Sequence, residues 1–282
     1  MTRDNSYPCG EEIIINGKVL RIGSLISQGT DGRIHAVHSD DSVNPAVVKY
    51  FSCMYGDKLY RSALLEIEAA QRLSKCPYTV DMPGYCVRAD SDGRAEVFIM
   101  MYKLRCCADM QPDVRGVLDM AADICLALDF MQRRGLVHCD IKPSNIFLNS
   151  GGVWQLGDFG CIQRKGACIR RGSPAYCSPE VHQGGRCDTR SDIYSLGIVM
   201  YKLLSGGRFP FCHERADLME QSEVERAIER RLSGEQISPI DGLDEKINEI
   251  LLKMCEFAPH KRISSPKAIH KIIGEIKEQI AR

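Results

Sequence analysis

With 282 residues, 44% of them hydrophobic and 26% charged, the chain is long enough to bury a sizeable core as one large domain or as two lobes. Its 37 basic side chains balance 37 acidic ones, which excludes the uniform positive field that points to nucleic acid or an anionic membrane. The N-terminus lacks the basic, apolar and small-residue succession of a leader, and Asp119, Asp123 and Asp129 interrupt the apolar run at 118–131, so a cytoplasmic chain without a membrane span is expected.

Residues 19–50 read as strands. Leu25 and Ile26 lead into a turn containing Gly29 and Gly32, the apolar run 34–37 follows, and 46–49 forms another short strand. A helix is expected over 62–73 and one more strand over 97–101. Residues 113–134 carry Val114, Val117, Leu118, Ala121, Ile124, Cys125, Leu128 and Met131 at helical spacing, with arginines at the end and Gly135 as a stop. The stretch LVHCDIKPSNIFL at 136–148 comes next, then a hairpin turn at 149–152 and a return strand at 153–156. Helical patterns resume at 191–204, 216–232, 244–257 and 266–280, the last with Ser265 as N-cap before Pro266. A strand-rich first third thus precedes a helix-rich remainder. The fourteen cysteines form no CxxC pair and lie scattered in apolar segments, so free thiols acting as small hydrophobes are expected rather than a zinc site or disulfides.

Chemistry concentrates in His138, Asp140, Lys142 and Asn145, followed after the hairpin by Asp158-Phe159-Gly160. This arrangement resembles the protein kinases, specifically the eukaryotic-type (Hanks-type) Ser/Thr kinases of the non-RD kind, with His-Cys-Asp in place of His-Arg-Asp. The wording of 191–204, SDIYSLGIVMYKLL, is similar to bacterial members. A carboxylate accepts a hydroxyl proton, a nearby Lys neutralises the moving phosphoryl group, and an Asn with a second Asp shares metal ions on the phosphates.

The resemblance implies an α+β bilobal fold: N-lobe 1–102, hinge 103–107 and C-lobe 108–282. It implies Asp140 as catalytic base, Lys142 on the γ-phosphate, Asn145 and Asp158 as ligands of Mg²⁺ or Mn²⁺, and ATP as phosphate donor. Gly29 and Gly32 match a glycine-rich phosphate loop in which Ser27 replaces the first glycine, and Ile26, Ile34 and Val47 join the nucleotide site. Lys49 matches the strand lysine on the phosphates, with Glu66 as its partner and Glu68 as the fallback. Met100 is expected as gatekeeper, with Met101 and Tyr102 opening the hinge. Ser178-Pro179-Glu180 matches the end of the activation segment, Arg262 its buried partner, and Asp192 a brace for the catalytic loop. Lys142 and Ser173 are the Ser/Thr-kinase forms, so the expected partner is a protein with a Ser/Thr acceptor and not a nucleic acid.

Two other classes remain in view. A pseudokinase scaffold would have lost Lys49, Asp140 or Asp158, and a small-molecule phosphotransferase of kinase-like fold typically lacks the 178–180 and 191–197 elements; all are present. Phosphate-switched kinases carry an Arg where Cys139 stands, and residues 161–171, CIQRKGACIRR, contain no Ser, Thr or Tyr. Activation without phosphate between Gly160 and Gly172 is therefore expected. An accessible thiolate at Cys139 or Cys161 would make activity oxidation-sensitive.

Overall fold

A computed structural model describes residues 9–29, 32–38, 46–168 and 172–280. The chain divides into two compact units: Met1–Lys75 with Val80–Leu104, and Cys76–Thr79 with Arg105–Arg282. The second unit takes residues 76–79 out of the N-lobe expected at 1–102. That short detour has a local cause, because the carbonyl of Tyr78 accepts from Leu156 N–H at 2.9 Å and that of Pro77 from the Gln155 side chain at 2.9 Å.

Among its described residues, the first unit is an antiparallel six-stranded sheet with one helix. Its strands are β1 (Glu12–Ile15), β2 (Lys18–Gln28), β3 (Arg33–His38), β4 (Ala46–Met54), β5 (Gly84–Ala89) and β6 (Arg94–Tyr102), ordered β1-β2-β3-β4-β6-β5. Strand alternation splits the apolar residues of β4 and β6 between two faces. Val48, Tyr50 and Phe98 pack with Ile13, Ile15, Leu20 and Ile22 on one, while Phe51, Val97 and Ile99 meet Ala63 and Ile67 of the helix α1 (Lys58–Leu73) on the other. The helix begins before the expected 62 because the Asp57 side chain accepts from Tyr60 N–H at 2.7 Å, a well-formed N-cap.

The second unit is mainly helical. Short strands β7 (Arg105–Cys106), β9 (Ile146–Leu148) and β10 (Trp154–Leu156) form one small sheet, and β8 (Leu136–Val137) pairs with β11 (Gln163–Arg164). Its helices are α2 (Val114–Gln132), α3 (Pro179–His182), α4 (Thr189–Leu204), α5 (Gln221–Leu232), α6 (Glu245–Met254) and α7 (Pro266–Ile280). Of the expected α2 stripe, Val117 through Met131 is buried and Val114 is exposed in the first turn. The hairpin turn closes on Asn149, whose side-chain oxygen accepts from Gly151 N–H and Val153 N–H at 2.9 and 3.0 Å. Helix α4 is buried over most of its surface and starts in a capping box between Asp188 and Ser191. All fourteen cysteines are free thiols, as expected, and seven are buried. No helix among the described residues is long and apolar enough to cross a membrane.

Candidate active site

In the first unit, β4 carries Lys49 on the face turned to α1, where its ammonium meets both carboxylate oxygens of Glu66 at 2.9 Å. Glu66 is buried, whereas Glu68 is exposed and pairs with Arg72 one turn further along. The apolar period of α1 explains the choice: Glu66 lies among Ala63, Ile67 and Ala70 on the buried side. Gly29 and Gly32 flank a turn closed by Gly29 N–H donating to Gly32 O at 2.9 Å; Thr30 and Asp31 lie outside the described residues. A Cβ at Gly32 would be a tight fit, 3.2 Å from both the Tyr50 carbonyl and the Phe51 ring, so a larger residue there requires these neighbours to shift by a few tenths of an ångström. Ser27 pairs with Ile34 across β2 and β3, and Ile34 pairs with Lys49 across β3 and β4.

In the second unit, Asp140 receives four side-chain or backbone donors within its own neighbourhood. Oδ1 accepts from Ser173 N–H at 2.8 Å and Ser173 Oγ at 2.9 Å, and Oδ2 accepts from Lys142 Nζ at 2.7 Å and Asn145 Nδ2 at 3.2 Å. Lys142 also donates to Ser173 Oγ at 3.1 Å. These bonds hold the plane of the carboxylate and put an ammonium beside it, the arrangement needed to receive a proton while neutralising a nearby anion.

The loop bearing Asp140 is braced from beneath. The buried Asp192 carboxylate on α4 accepts from His138 N–H at 2.8 Å and Cys139 N–H at 2.9 Å. Burial pushes the Asp192 carboxyl up to about 7, against the pull of those two donors. His138 is fully buried, and burial lowers its basicity. Its Nδ1 accepts from Asp140 N–H at 3.3 Å, which assigns the proton to Nε2, 3.1 Å from the Gly157 carbonyl. Gly157 N–H in turn donates to Asn145 O at 2.9 Å, so the chain entering Asp158 is tied to the chain bearing Asn145. Cys139 and Asp158 adopt left-handed φ values of 67° and 60°, a conformation that costs about 1–3 kcal/mol for a non-glycine residue and persists where surroundings enforce it.

Glu180 and Arg262 meet in a bidentate pair at 2.7 and 2.8 Å, with Ser191 Oγ donating to Glu180 at 2.8 Å. Burial alone would raise the Glu180 carboxyl, but the Arg262 hydrogen bonds and charge outweigh it and hold the group below the usual range.

The protein kinase domain family matches residues 20–272. The chain belongs to the protein kinase family. The kinase domain is 44% identical over 112 residues to serine/threonine-protein kinase ppk16 of Schizosaccharomyces pombe, covering 36% of this chain and 16% of that protein. It is 26% identical over 203 residues to mitogen-activated protein kinase kinase kinase 17 of Arabidopsis thaliana, covering 65% of this chain and 51% of that protein. It is 31% identical over 155 residues to serine/threonine-protein kinase PknL of Mycobacterium tuberculosis, covering 53% and 37%. The aligned stretches thus span from about a sixth to about half of each relative's length.

Within the kinase domain, strand register revises one expectation. Val47 pairs with Met101 and Lys49 with Ile99, while Met100 pairs with Val48 and packs on the opposite face beside the Ile13 cluster. Met101 packs on the Lys49 face, with Phe51 and Ile67. The side chain sharing a face with Val47 and Lys49 is therefore Met101 and not the expected Met100, a shift of one residue that alternation turns into a change of face. Tyr102 ends β6 and is exposed, as is Ile26 on β2.

Cys139 follows the expectation of free thiols packed as small hydrophobes. It is buried with Cys177, Cys187, Val137, Val181 and Leu232, with Cys161 packed against the group. The hydrogen bond with Cys187, and then burial, push its thiol upward, so it is a protonated core group and not an accessible thiolate.

Two cations escaped the sequence reading. Arg231 on α5 is almost fully buried, and Lys202 on α4 lies against Tyr176, its ammonium 3.2 Å from the phenol oxygen. In ERRL, Arg231 reads as the wet basic end of a helix. Its spacing with Val224 and Ala227, on the buried face, is the signal that was there to be used.

Proposed function

We propose that this domain is an active Ser/Thr protein kinase that transfers the γ-phosphate of ATP to protein hydroxyls and needs no phosphate on the segment between Gly160 and Gly172. The observation that carries the reading is the network joining Asp140, Lys142, Asn145 and Ser173. The acceptor hydroxyl gives its proton to Asp140 as its oxygen bonds to the γ-phosphorus, and the bond to the β-phosphate oxygen breaks to release ADP. Lys142 faces the charge that develops on the transferred group. In the other unit, the Lys49 ammonium, aimed by Glu66, suits the α and β phosphates.

The donor set fits Mg²⁺ or Mn²⁺. The Asn145 amide nitrogen is committed to the Asp140 carbonyl at 2.8 Å and to its carboxylate, leaving the amide oxygen as the ligand atom, and Asp158 supplies a carboxylate on a chain tied to Asn145. Few protein oxygens with phosphates and water completing the shell is the usual magnesium arrangement. The bound metal supplies neutralisation of phosphate charge. Ile26, Gly29, Gly32, Ile34, Val47, Met101 and Tyr102 are the nucleotide-side residues of this reading, and a cytoplasmic location goes with its use of ATP.

Phosphate independence is supported by what occupies the position of the phosphate-clamping Arg. Cys139 sits in an apolar thiol cluster, and the adjoining chain is ordered by backbone bonds: Lys165 N–H to Gly135 O at 2.8 Å, Gly166 N–H to Cys187 O at 2.8 Å, and Cys187 N–H to Ala167 O at 3.0 Å. Residues 169–171 lie outside the described residues.

The test is phosphate transfer from labelled ATP, with magnesium, to a panel of Ser/Thr protein and peptide acceptors, with Asp140→Asn as control. Transfer to Ser or Thr that the control abolishes is expected, and a well-folded parent that transfers to nothing would favour the scaffold reading. Phosphatase treatment, verified by mass spectrometry, is expected to leave the rate unchanged. A large fall traced to a phosphate at Ser173 or Tyr176 would overturn the independence.

A further inference from the structure

Residues 173–177 form a tight turn in which the Tyr176 and Cys177 amides both donate to the Ser173 carbonyl at 2.9 Å. Such a turn leaves its following carbonyls without partners inside the turn, and three of them converge on one side chain. Arg231 donates from Nη1 to the Cys177 carbonyl at 2.9 Å and from Nη2 to the Pro174 and Ala175 carbonyls at 2.8 and 3.2 Å. Nη1 also donates to the Tyr194 hydroxyl of α4 at 3.0 Å, and Arg231 is only 2% exposed. All four of these acceptors are neutral. A cation taken so far from water and bonded to backbone carbonyls is retained where a planar, two-ended donor must span several acceptors at once, which a lysine ammonium does from a single point.

We propose that Arg231 is a positioning residue for the acceptor substrate: it holds the 174–177 backbone in register with Asp140, so that a peptide lying on that segment presents its hydroxyl to the carboxylate. The inference rests on the kinase reading given above. The segment is fixed at its other end by Ser173, whose amide and hydroxyl are bonded to Asp140, so Arg231 and Asp140 hold the two ends of the same five-residue turn. From the side, Lys202 meets the Tyr176 hydroxyl, and the Tyr176 ring packs edge-on against Phe209 with centroids 5.3 Å apart. The clamp is permanent, made by a helix of the same unit, and asks for no covalent modification.

The test compares Arg231→Met and Arg231→Lys with the parent domain, measuring kcat and KM separately for an acceptor peptide and for ATP, alongside thermal melts. In Arg231→Met, kcat/KM for the peptide is expected to fall at least about tenfold while KM for ATP changes less than about twofold, with Arg231→Lys intermediate, because a small misplacement of the acceptor is enough to slow transfer. A folded Arg231→Met domain with unchanged kcat/KM for peptide, or with peptide and ATP parameters worsening in parallel, overturns the inference. Should Arg231→Met fail to fold, hydrogen exchange in Arg231→Lys decides: the amides of residues 175–178 should exchange faster than in the parent with the rest unchanged, and unaltered exchange there overturns it. A parent domain that transfers to no Ser/Thr acceptor would instead strike the kinase reading, and the exchange measurement would still report on the clamp.

Discussion

Gly172 lies so close to the carbonyl oxygen of Cys139 that a Cβ at this position would overlap it. Its φ of +91° adds a second reason for glycine. The contact seats the start of the acceptor-side turn directly on the residue before Asp140. Gly172→Ala must move one chain or the other, and Ser173 with it. We expect a domain that still folds, destabilised by about 1–3 kcal/mol, with kcat/KM for peptide reduced on the order of a hundredfold. Peptide kinetics and urea unfolding check it; a near-parental rate would show that the contact is not needed to set the turn.

Lys49→Met removes the ammonium from Glu66, whose carboxylate is then buried without that partner. Loss of one member of such a pair costs about 3 kcal/mol or more, and loss of phosphate neutralisation lowers kcat by at least about a hundredfold. Asp158→Asn is expected to lower turnover as severely by weakening metal binding, with its deficit eased by raised metal concentration, whereas that of Lys49→Met is not. Metal titrations of initial rate separate the two; equal response of both variants would contradict the assigned roles.

The pair of Glu180 and Arg262 predicts an acid limb. Because the Glu180 carboxyl is held below its ordinary value of 4.5, the folded state loses that contribution as pH falls through the lowered value and keeps it fully above the ordinary one. Arg262→Met should therefore destabilise the domain by about 3–5 kcal/mol at neutral pH and by less in acid. Denaturant unfolding of both proteins across the acid range gives the answer, and a deficit that stays constant with pH would mean that the ion pair is not its source.

Asp192 should show the opposite sign. Its carboxyl is raised from 3.8 to about 7, so the folded state holds the proton more tightly than the unfolded chain does. Its contribution is most favourable below about pH 4, declines as pH rises to about 7, and stays low above that. The stability of the parent minus that of Asp192→Asn should thus fall by up to about 4 kcal/mol between pH 4 and 7. A difference that is flat or rising over this interval would mean that the two N–H donors outweigh burial.

Much of the candidate site was readable before any coordinates. Asp140, Lys142 and Asn145 lie within six residues, and Asp158-Phe159-Gly160 follows one hairpin later, so local chain geometry already restricts where these groups can be. The helix α7 was delimited by its own period and by Ser265 and Pro266. Strands β1 and β5 went unread: EIII is a short run with one polar end, and GYCVRA alternates only weakly. Their stability comes from partners, β2 through a two-residue turn and β6 through the turn at Gly93.

Residue identity by itself therefore determined the chemistry of this chain: which carboxylates, which amide and which lysines are available, and in what order. Tertiary structure alone decided which of them meet. Glu66 rather than Glu68 reaches Lys49 because helix α1 turns one face inward, and Met101 rather than Met100 shares the Lys49 face because pairing with β4 sets the register. Cys139 finds Cys187, and Arg231 finds the carbonyls of 174, 175 and 177, across roughly fifty residues of sequence in each case. The physical reason is the same for all four. Periodicity within a segment says which side chains travel together, but the partner opposite them is chosen by packing and by hydrogen bonds that close only when distant segments are brought side by side.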